Sequence, residues 1–377
     1  MAGIYLHIPF CKQACTYCNF HFSTSLAQKD AMMQALTKEI GLQQHWLAGA
    51  AVETIYLGGG TPSLLSADEL MRLFDALHKT FKIDALKECT LEANPDDLSP
   101  AYLKALRGTP VNRLSIGIQS FREEDLRYMN RAHTAQQSDY AIKAAQDAGF
   151  SNLSIDLIYG TPGLSDAAWL ENIAKMASLD IPHFSAYALT VEEGTALYHS
   201  IAKKGAAPVD AAQSAAQAEI LMGEAPRLGY EQYEISNYAR PDCYAVHNTS
   251  YWQGVPYLGL GPSAHSFDGH LVRQWNVANN AKYIHSVLVE GKVPYEQEVL
   301  TPVQRLNEYI MTSLRTMWGC ELGKVESGWG SGYRDAIVEA AQLYLKDGRL
   351  SLDHERLLLS QKGKLFADGI AADLFQS

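Results

Sequence analysis

Apolar and polar positions along the chain repeat one rhythm six times. The runs "GIYLHIPF", "ETIYLGGGTP", "ECTLEANPD", "NRLSIGIQSF", "NLSIDLIYGTPG" and "HFSAYALTVEEGT" read as strands, and the stretches between them are long enough for helices. In the first such stretch Met32, Leu36, Ile40 and Leu47 fall near one face at helical spacing. Six β-α steps predict helices laid over a parallel sheet.

The strands end in chemistry: Cys11, Cys15 and Cys18, then Gly58 to Pro62, Glu92 with Asn94, Gln119, Asp156 and Tyr187. Polar groups gathered at C-terminal strand ends are the habit of barrel-type α/β folds. Six units instead of eight predict an incomplete (β/α)6 TIM-like barrel over residues 1–240, with a doubly wound sheet as the runner-up. From Pro241 the rhythm changes. Helices are predicted over 303–317 and 332–346, followed by "GRLSL" and "RLLLS" as a short hairpin and a final helix. Residues 241–377 are thus expected to form a smaller α+β accessory domain with a winged-helix-like end.

Bulk composition narrows the function. The 377 residues are 47% hydrophobic, enough for a sizeable core. With 42 acidic against 31 basic residues and a net charge of -11, broad capture of nucleic acid or of an anionic membrane is disfavoured. No apolar run reaches the roughly 20 residues of a membrane helix, and "MAGIYLHIPF" lacks the regions of a signal peptide. A cytoplasmic protein with at most peripheral membrane contact is expected. Six cysteines are too few for a disulfide scaffold in so long a chain.

Three of those cysteines occupy eight positions, in "CKQACTYC". Their i, i+4, i+7 spacing also describes one face of a helix, although Pro9 just ahead argues against a buried stripe. A structural zinc site with His7 or His21 as fourth ligand is a second reading. The third is a four-iron cube, whose fourth iron three thiolates leave without a protein ligand. That iron is free to chelate the amino and carboxylate groups of an amino-acid-like molecule.

The C-x3-C-x2-C pattern just after a first strand resembles the signature of the radical S-adenosylmethionine (radical SAM) superfamily. The resemblance implies a [4Fe-4S] cluster on Cys11, Cys15 and Cys18, fed by a reducing electron donor. It also implies S-adenosylmethionine as the source of a radical that removes hydrogen from a substrate. The turn "LGGGTP" lacks the dinucleotide and P-loop patterns, and glycines there let backbone approach a ligand closely. Glu92, Gln119, Arg131 and Asp156 supply polar partners for a zwitterionic nucleoside, with Arg131 the choice for the methionine carboxylate. Each also has an ordinary reading, as a helix cap or an ion-pair partner.

Taken in order, "YLHIPFC", "GGGTPS", "LEANPD", "IGIQSF", "NRAH", "IDLIYGTPG" and "SAYAL" resemble the anaerobic coproporphyrinogen III dehydrogenase family and its relatives. By that resemblance Tyr5, Gly59, Gly60, Thr61, Glu92, Gln119, Arg131, Asp156 and Ala188 line the S-adenosylmethionine site, and Tyr17 packs near the cluster. The dehydrogenases continue to C-x3-C-x2-C-x-C, whereas this chain has Phe20, and they carry an N-terminal extension ahead of the first strand, whereas this chain reaches Tyr5 almost at once. "CNF", the early start, "HNTSYW" and "NEYIMTSLRT" instead look like the haem-chaperone branch of the family. That resemblance implies haem as cargo, handed to haem-accepting apoproteins of respiratory type.

His247 offers an imidazole for the iron, with Tyr251 and Trp252 as flat apolar surface. Its ordinary reading is a turn histidine bonded to a nearby carbonyl. His265 in "GPSAHSF" competes for the role. Cys89, Cys243 and Cys320 are isolated thiols, Cys243 being a lesser ligand candidate. The rival functions are a tetrapyrrole-modifying enzyme that oxidatively decarboxylates propionates and a zinc-stabilised binding module.

Overall fold

A computed structural model describes residues 1–377. Its main sheet begins with β1 (Ala2–Ile8), β2 (Val52–Gly59), β3 (Glu88–Ala93), β4 (Arg113–Gln119), β5 (Leu153–Tyr159) and β6 (His183–Ala188). These pair in parallel in chain order, each with the next. Strand order does not reverse between β1 and β6, so there is no switch point of the doubly wound kind. The six units form the expected barrel-type arrangement.

The sheet extends beyond those six strands at both ends. On one side β6 pairs antiparallel with β8 (Asn237–Ala239), which pairs with β7 (Glu231–Gln232). On the other, β9 (Tyr257–Leu260) runs parallel to β1, then β10 (His265–Phe267), β11 (Val272–Asn276) and β12 (Tyr295–Val299) follow antiparallel. The twelve strands end on β12 and β7, which do not pair with each other, leaving an open, incomplete barrel.

Alternation along the strands separates two environments. Ile4, Leu6 and Ile8 join Met32, Leu36 and Ile40 of the helix Lys29–Leu42 in a continuous core of 54 buried residues. Burying each such side chain contributes about 1.5–3 kcal/mol. Leu47 also joins that core, but from the turn beyond the helix end. The other face of the same strands is polar. Tyr5, Tyr56, Glu92, Ser115, Asp156 and Ser185 all line one cavity of about 230 Å³ inside the curve of the sheet. Local signals agree with this plan: Ser66 and Glu69 close a capping box on the helix Ala67–Thr80.

The expected division at 240/241 differs from the packing. Strands β9–β12 belong to the large sheet, and a separate apolar core runs from Leu306 to Leu374. That second unit has the order helix Pro302–Leu314, β13 (Cys320–Glu321), helices Leu322–Trp329 and Ser331–Lys346, then the hairpin of β14 (Leu350–Asp353) and β15 (Arg356–Leu359). β13 pairs onto β15 of the hairpin. No helix is long and apolar enough to cross a membrane.

Candidate cluster and nucleoside site

The cysteine loop leaves the C-terminal end of β1 and is stitched to its surroundings by backbone bonds. Cys11 N–H donates to Ser23 O (3.0 Å) and Ser23 N–H to Pro9 O (2.9 Å), closing the loop at its base. Thr16 N–H reaches Met129 O (3.1 Å), and Asn130 Nδ2 donates to Ala14 O (2.8 Å). The loop is not helical, which disposes of the helical-stripe reading of its thiols.

The glycine turn after β2 is zipped to the same loop. Gly60 N–H donates to Ile8 O (2.9 Å) and Thr61 N–H to Phe10 O (2.7 Å). A Cβ on Gly60 would lie 2.6 Å from Phe10 O and 2.8 Å from Ile8 O, closer than any side chain tolerates. Gly59 has φ +102°, and a Cβ there would strike the His7 ring. These glycines are required by the loop itself, before any ligand is considered.

No three His, Cys, Asp or Glu side chains stand close enough together to grip a single metal ion. What marks the loop as a cluster site is its charge balance. Burial pushes the Cys11 thiol up to about 11, with Thr61 and Arg131 opposing and Cys18 and Cys15 adding to the rise. Burial also raises Cys18. Arg131 is the cation within reach, its Nη1 lying 3.3 Å from Cys15 Sγ. Three thiolates and one guanidinium leave an excess of negative charge, which a cationic metal-sulfide core offsets. The three half-buried thiols therefore fit a cluster.

Arg131 is held by Asn94 Oδ1 and Gly117 O, both 2.8 Å from Nη2, and its buried Nε has no partner. As placed, the guanidinium serves the cysteine loop, and Nε is the one donor left over. Asn94 also donates to Thr61 Oγ1 (3.3 Å), joining the ends of β2 and β3 to Arg131. Sequence reasoning noted Asn94 without giving it a role. Its position one residue past β3, beside the glycine turn, was the available signal.

Beneath the loop lie the carboxylates. Tyr56 Oη donates to Glu92 Oε1 (2.6 Å), and burial with Asp156 nearby raises Glu92 to about 7. Burial raises Asp156 to about 6, against the opposing Ser185 hydroxyl. Tyr5 Oη lies 3.2 Å from His7 Nδ1 and lines the cavity. Gln119 is buried at the end of β4 with φ +66°, a left-handed conformation that costs a non-glycine residue about 1–2 kcal/mol. Tyr17 lies within the cysteine loop, where burial raises its pKa and Arg131 counters the rise. Ala188 closes β6 at the same end of the sheet. Gly59 to Thr61, Gln119 and Ala188 thus lie at the C-terminal strand ends, whereas Tyr5 and Asp156 stand mid-strand and, with Glu92, line the cavity below them, a set of hydroxyl, carboxylate and amide groups of the kind a zwitterionic nucleoside needs.

His247 borders the far end of the same cavity, its ring stacked on that of Tyr56 at 5.2 Å. It sits on the helix Val246–Trp252 beside Gly3 and Thr54, at the N-terminal ends of β1 and β2, opposite the cysteine loop. Its side chain is 2% exposed, with Nδ1 2.7 Å from Thr54 Oγ1 and Nε2 2.8 Å from Tyr251 Oη. The helix is fixed there because Glu88 accepts from the N–H groups of Val246 and His247. Burial depresses the imidazole to about 3, so it is a neutral ring with both nitrogens engaged. Trp252 packs under Arg315 instead of presenting an open face. Cys89 and Cys320 are buried and Cys243 is half-buried.

Sequence reasoning missed the cavity floor. Arg113 is 3% exposed, faces Glu88 at 3.8 Å, and lines the cavity with Ser154 and His183. The signal was present: polar residues at every second position of strands whose other face is wholly apolar.

The Radical SAM superfamily model matches residues 5–177. Over 377 residues the chain is 33% identical to the heme chaperone HemW of Mycobacterium tuberculosis, covering 99% of this chain and 94% of that one. It is 36% identical to heme chaperone HemW of Escherichia coli, covering 98% and 96%. It is 30% identical to the mitochondrial radical S-adenosyl methionine domain-containing protein 1 of Bos taurus, covering 99% and 87%. Among solved structures, coproporphyrinogen III oxidase (HemN) from Escherichia coli superposes with a TM-score of 0.85 at 23% identity, covering 100% of this chain and 90% of that one. That last likeness is one of fold.

Proposed function

The chain belongs to the HemW family of the radical SAM superfamily, and from that premise we propose that it is a haem chaperone, which binds haem and passes it to apoproteins. The observation that carries this reading is similarity from end to end, at 33–36% identity, to proteins named for that role. Superfamily membership brings a [4Fe-4S] cluster and S-adenosylmethionine, which together supply one-electron chemistry when bound.

In this reading Cys11, Cys15 and Cys18 hold the cluster, and Arg131 balances the charge of the loop. Gly59, Gly60 and Thr61 keep backbone close to the nucleoside. Glu92, Gln119 and Asp156 accept its hydroxyl and ammonium groups, with Tyr5, Tyr17 and Ala188 as walls. Residues up to 240, with β9–β12 extending their sheet, form the cofactor-binding core, and the unit with its own core from Leu306 to Leu374 is the accessory part, winged-helix-like at its end. The protein works in the cytoplasm, its recipients being apoproteins of the respiratory kind. Phe20, 67% exposed where the coproporphyrinogen dehydrogenases have a further cysteine, favours a carrier over a decarboxylating enzyme.

The test is transfer. Haem-loaded protein, purified without air, is mixed with an apo-globin and the Soret band is followed. Movement of the band to the globin position is expected. Failure to release haem, or a vinyl product on incubation with coproporphyrinogen III, S-adenosylmethionine and a reductant, would overturn the proposal.

A further inference from the structure

The large sheet and the accessory unit meet along a seam that is fixed by hydrogen bonds. Met317 N–H donates to Tyr233 O (2.9 Å), and Lys364 Nζ, on the helix Gln361–Lys364, donates to Gln232 Oε1 of β7 (3.0 Å). The seam leaves a groove of about 450 Å³, a size within the range of small-molecule sites. Tyr159 and Tyr238 line it from the sheet side, Met222 from the helix Ala211–Arg227, and Arg315, Lys364 and Phe366 from the accessory unit.

This lining is polar where it is buried and apolar where it is open. Tyr238 is 3% exposed and Tyr159 half-buried, yet no hydrogen bond ties either hydroxyl. A hydroxyl shut away without a partner is unfavourable. Phe366, by contrast, is 52% exposed, with Arg349 5.7 Å from its ring. The charge of the groove is positive: Lys364 and Arg315 stand against one lining carboxylate, Asp368, which meets Arg315 from a side chain 82% exposed. Burial lowers the Lys364 pKa, with Glu234 opposing, so the ammonium is short of anionic company. The nearby acids do not supply it. Glu234 is buried and bonded to Asn237, Glu231 is bonded to Tyr244, Glu224 pairs with Arg227, and Glu219 is exposed outside the lining.

We propose that this groove takes the propionate edge of a porphyrin, with Lys364 and Arg315 facing the carboxylates, the hydroxyls of Tyr159 and Tyr238 donating to them, and Met222 and Phe366 against the macrocycle. The site rests on the haem-carrier reading and adds a place that recognises the ring and its acids without using the iron. Cations and free hydroxyl donors suit carboxylates, and an open aromatic face suits a flat apolar ring.

The test is a titration of the cluster-loaded protein, followed by porphyrin fluorescence anisotropy. The probes are protoporphyrin IX, which has both propionates and no iron, and its dimethyl ester, which has no charge. Wild type is compared with Lys364→Gln and with Phe366→Ser, a replacement at an exposed position that leaves the core intact. Wild type should bind the diacid at least about tenfold more tightly than the ester, and Lys364→Gln should remove most of that difference. Phe366→Ser should weaken both probes about threefold, and laurate at equal concentration should displace neither. Equal affinity for the diacid in wild type and both variants, or displacement by laurate, would overturn this site and leave the carrier reading standing if wild type still passes haem to apo-globin. No haem binding by wild type would overturn the carrier reading as well.

Discussion

Two histidines that the sequence offers for one task sit at opposite ends of the same sheet. His247, at the N-terminal end, is enclosed by Thr54, Tyr251 and the backbone bonds of its helix to Glu88. His265, beside the C-terminal mouth, has an aromatic brace and no hydrogen bond. The mouth shows the same pattern elsewhere: partly exposed thiols, a spare Arg131 Nε and a left-handed Gln119. A buried polar group whose partners are all present contributes to stability. Groups left unpaired or strained are the ones available to a ligand.

That contrast predicts different outcomes at the two ends. The largest effect belongs to the mouth: replacing Cys11, Cys15 or Cys18 by Ser should abolish iron and acid-labile sulfide, whereas Cys243→Ser should leave both unchanged. Loss of sulfide in the Cys243 variant would erase the distinction between the loop and the isolated thiols. At the floor, His247→Ala removes a buried ring and strands Thr54 and Tyr251. A stability loss of about 2–4 kcal/mol in urea unfolding is expected, with cluster content kept. A variant of wild-type stability would show that Thr54 and Tyr251 do not depend on the ring.

Gly60→Ala should cost about 1–3 kcal/mol and lower cluster occupancy, because its Cβ meets Phe10 O and Ile8 O. Wild-type iron content would show that the turn has room to spare. The smallest effect is electrostatic. Glu92 and Asp156 have raised pKa values, about 7 and about 6, so the folded state binds more protons than the unfolded one between about pH 4 and 7. Their contribution is most favourable below their unfolded pKa values and is lost as pH rises to about 7. Buried Glu39, also raised to about 7, has the same sign. Glu92→Gln should flatten the decline by about 1–2 kcal/mol in the cluster-free protein, and an unaltered slope would place that carboxylate in water.

The six core strands were legible because each sets apolar residues such as Ile4, Leu6 and Ile8 against helices, a pattern local to the chain. The sheet extension was not. "YLGL" is a four-residue strand with a glycine inside it, and its pairing with β1 joins residues more than 250 positions apart. Spacing alone left the cysteine loop three readings, and the resemblance of C-x3-C-x2-C after a first strand to the radical SAM signature chose among them. The setting of His247 was hidden for the opposite reason: Thr54, which occupies its Nδ1, is 193 residues away. His265 stacks on Trp275 in a neighbouring strand, and a one-dimensional pattern does not display a stacked pair.

The most direct measurement is Mössbauer spectroscopy of protein reconstituted with ⁵⁷Fe, before and after adding S-adenosylmethionine. Three thiolate anchors predict four irons, one of them distinct, and a change in that one alone when the nucleoside binds. Four equivalent irons indifferent to the nucleoside, or zinc without sulfide in the folded protein, would contradict the account.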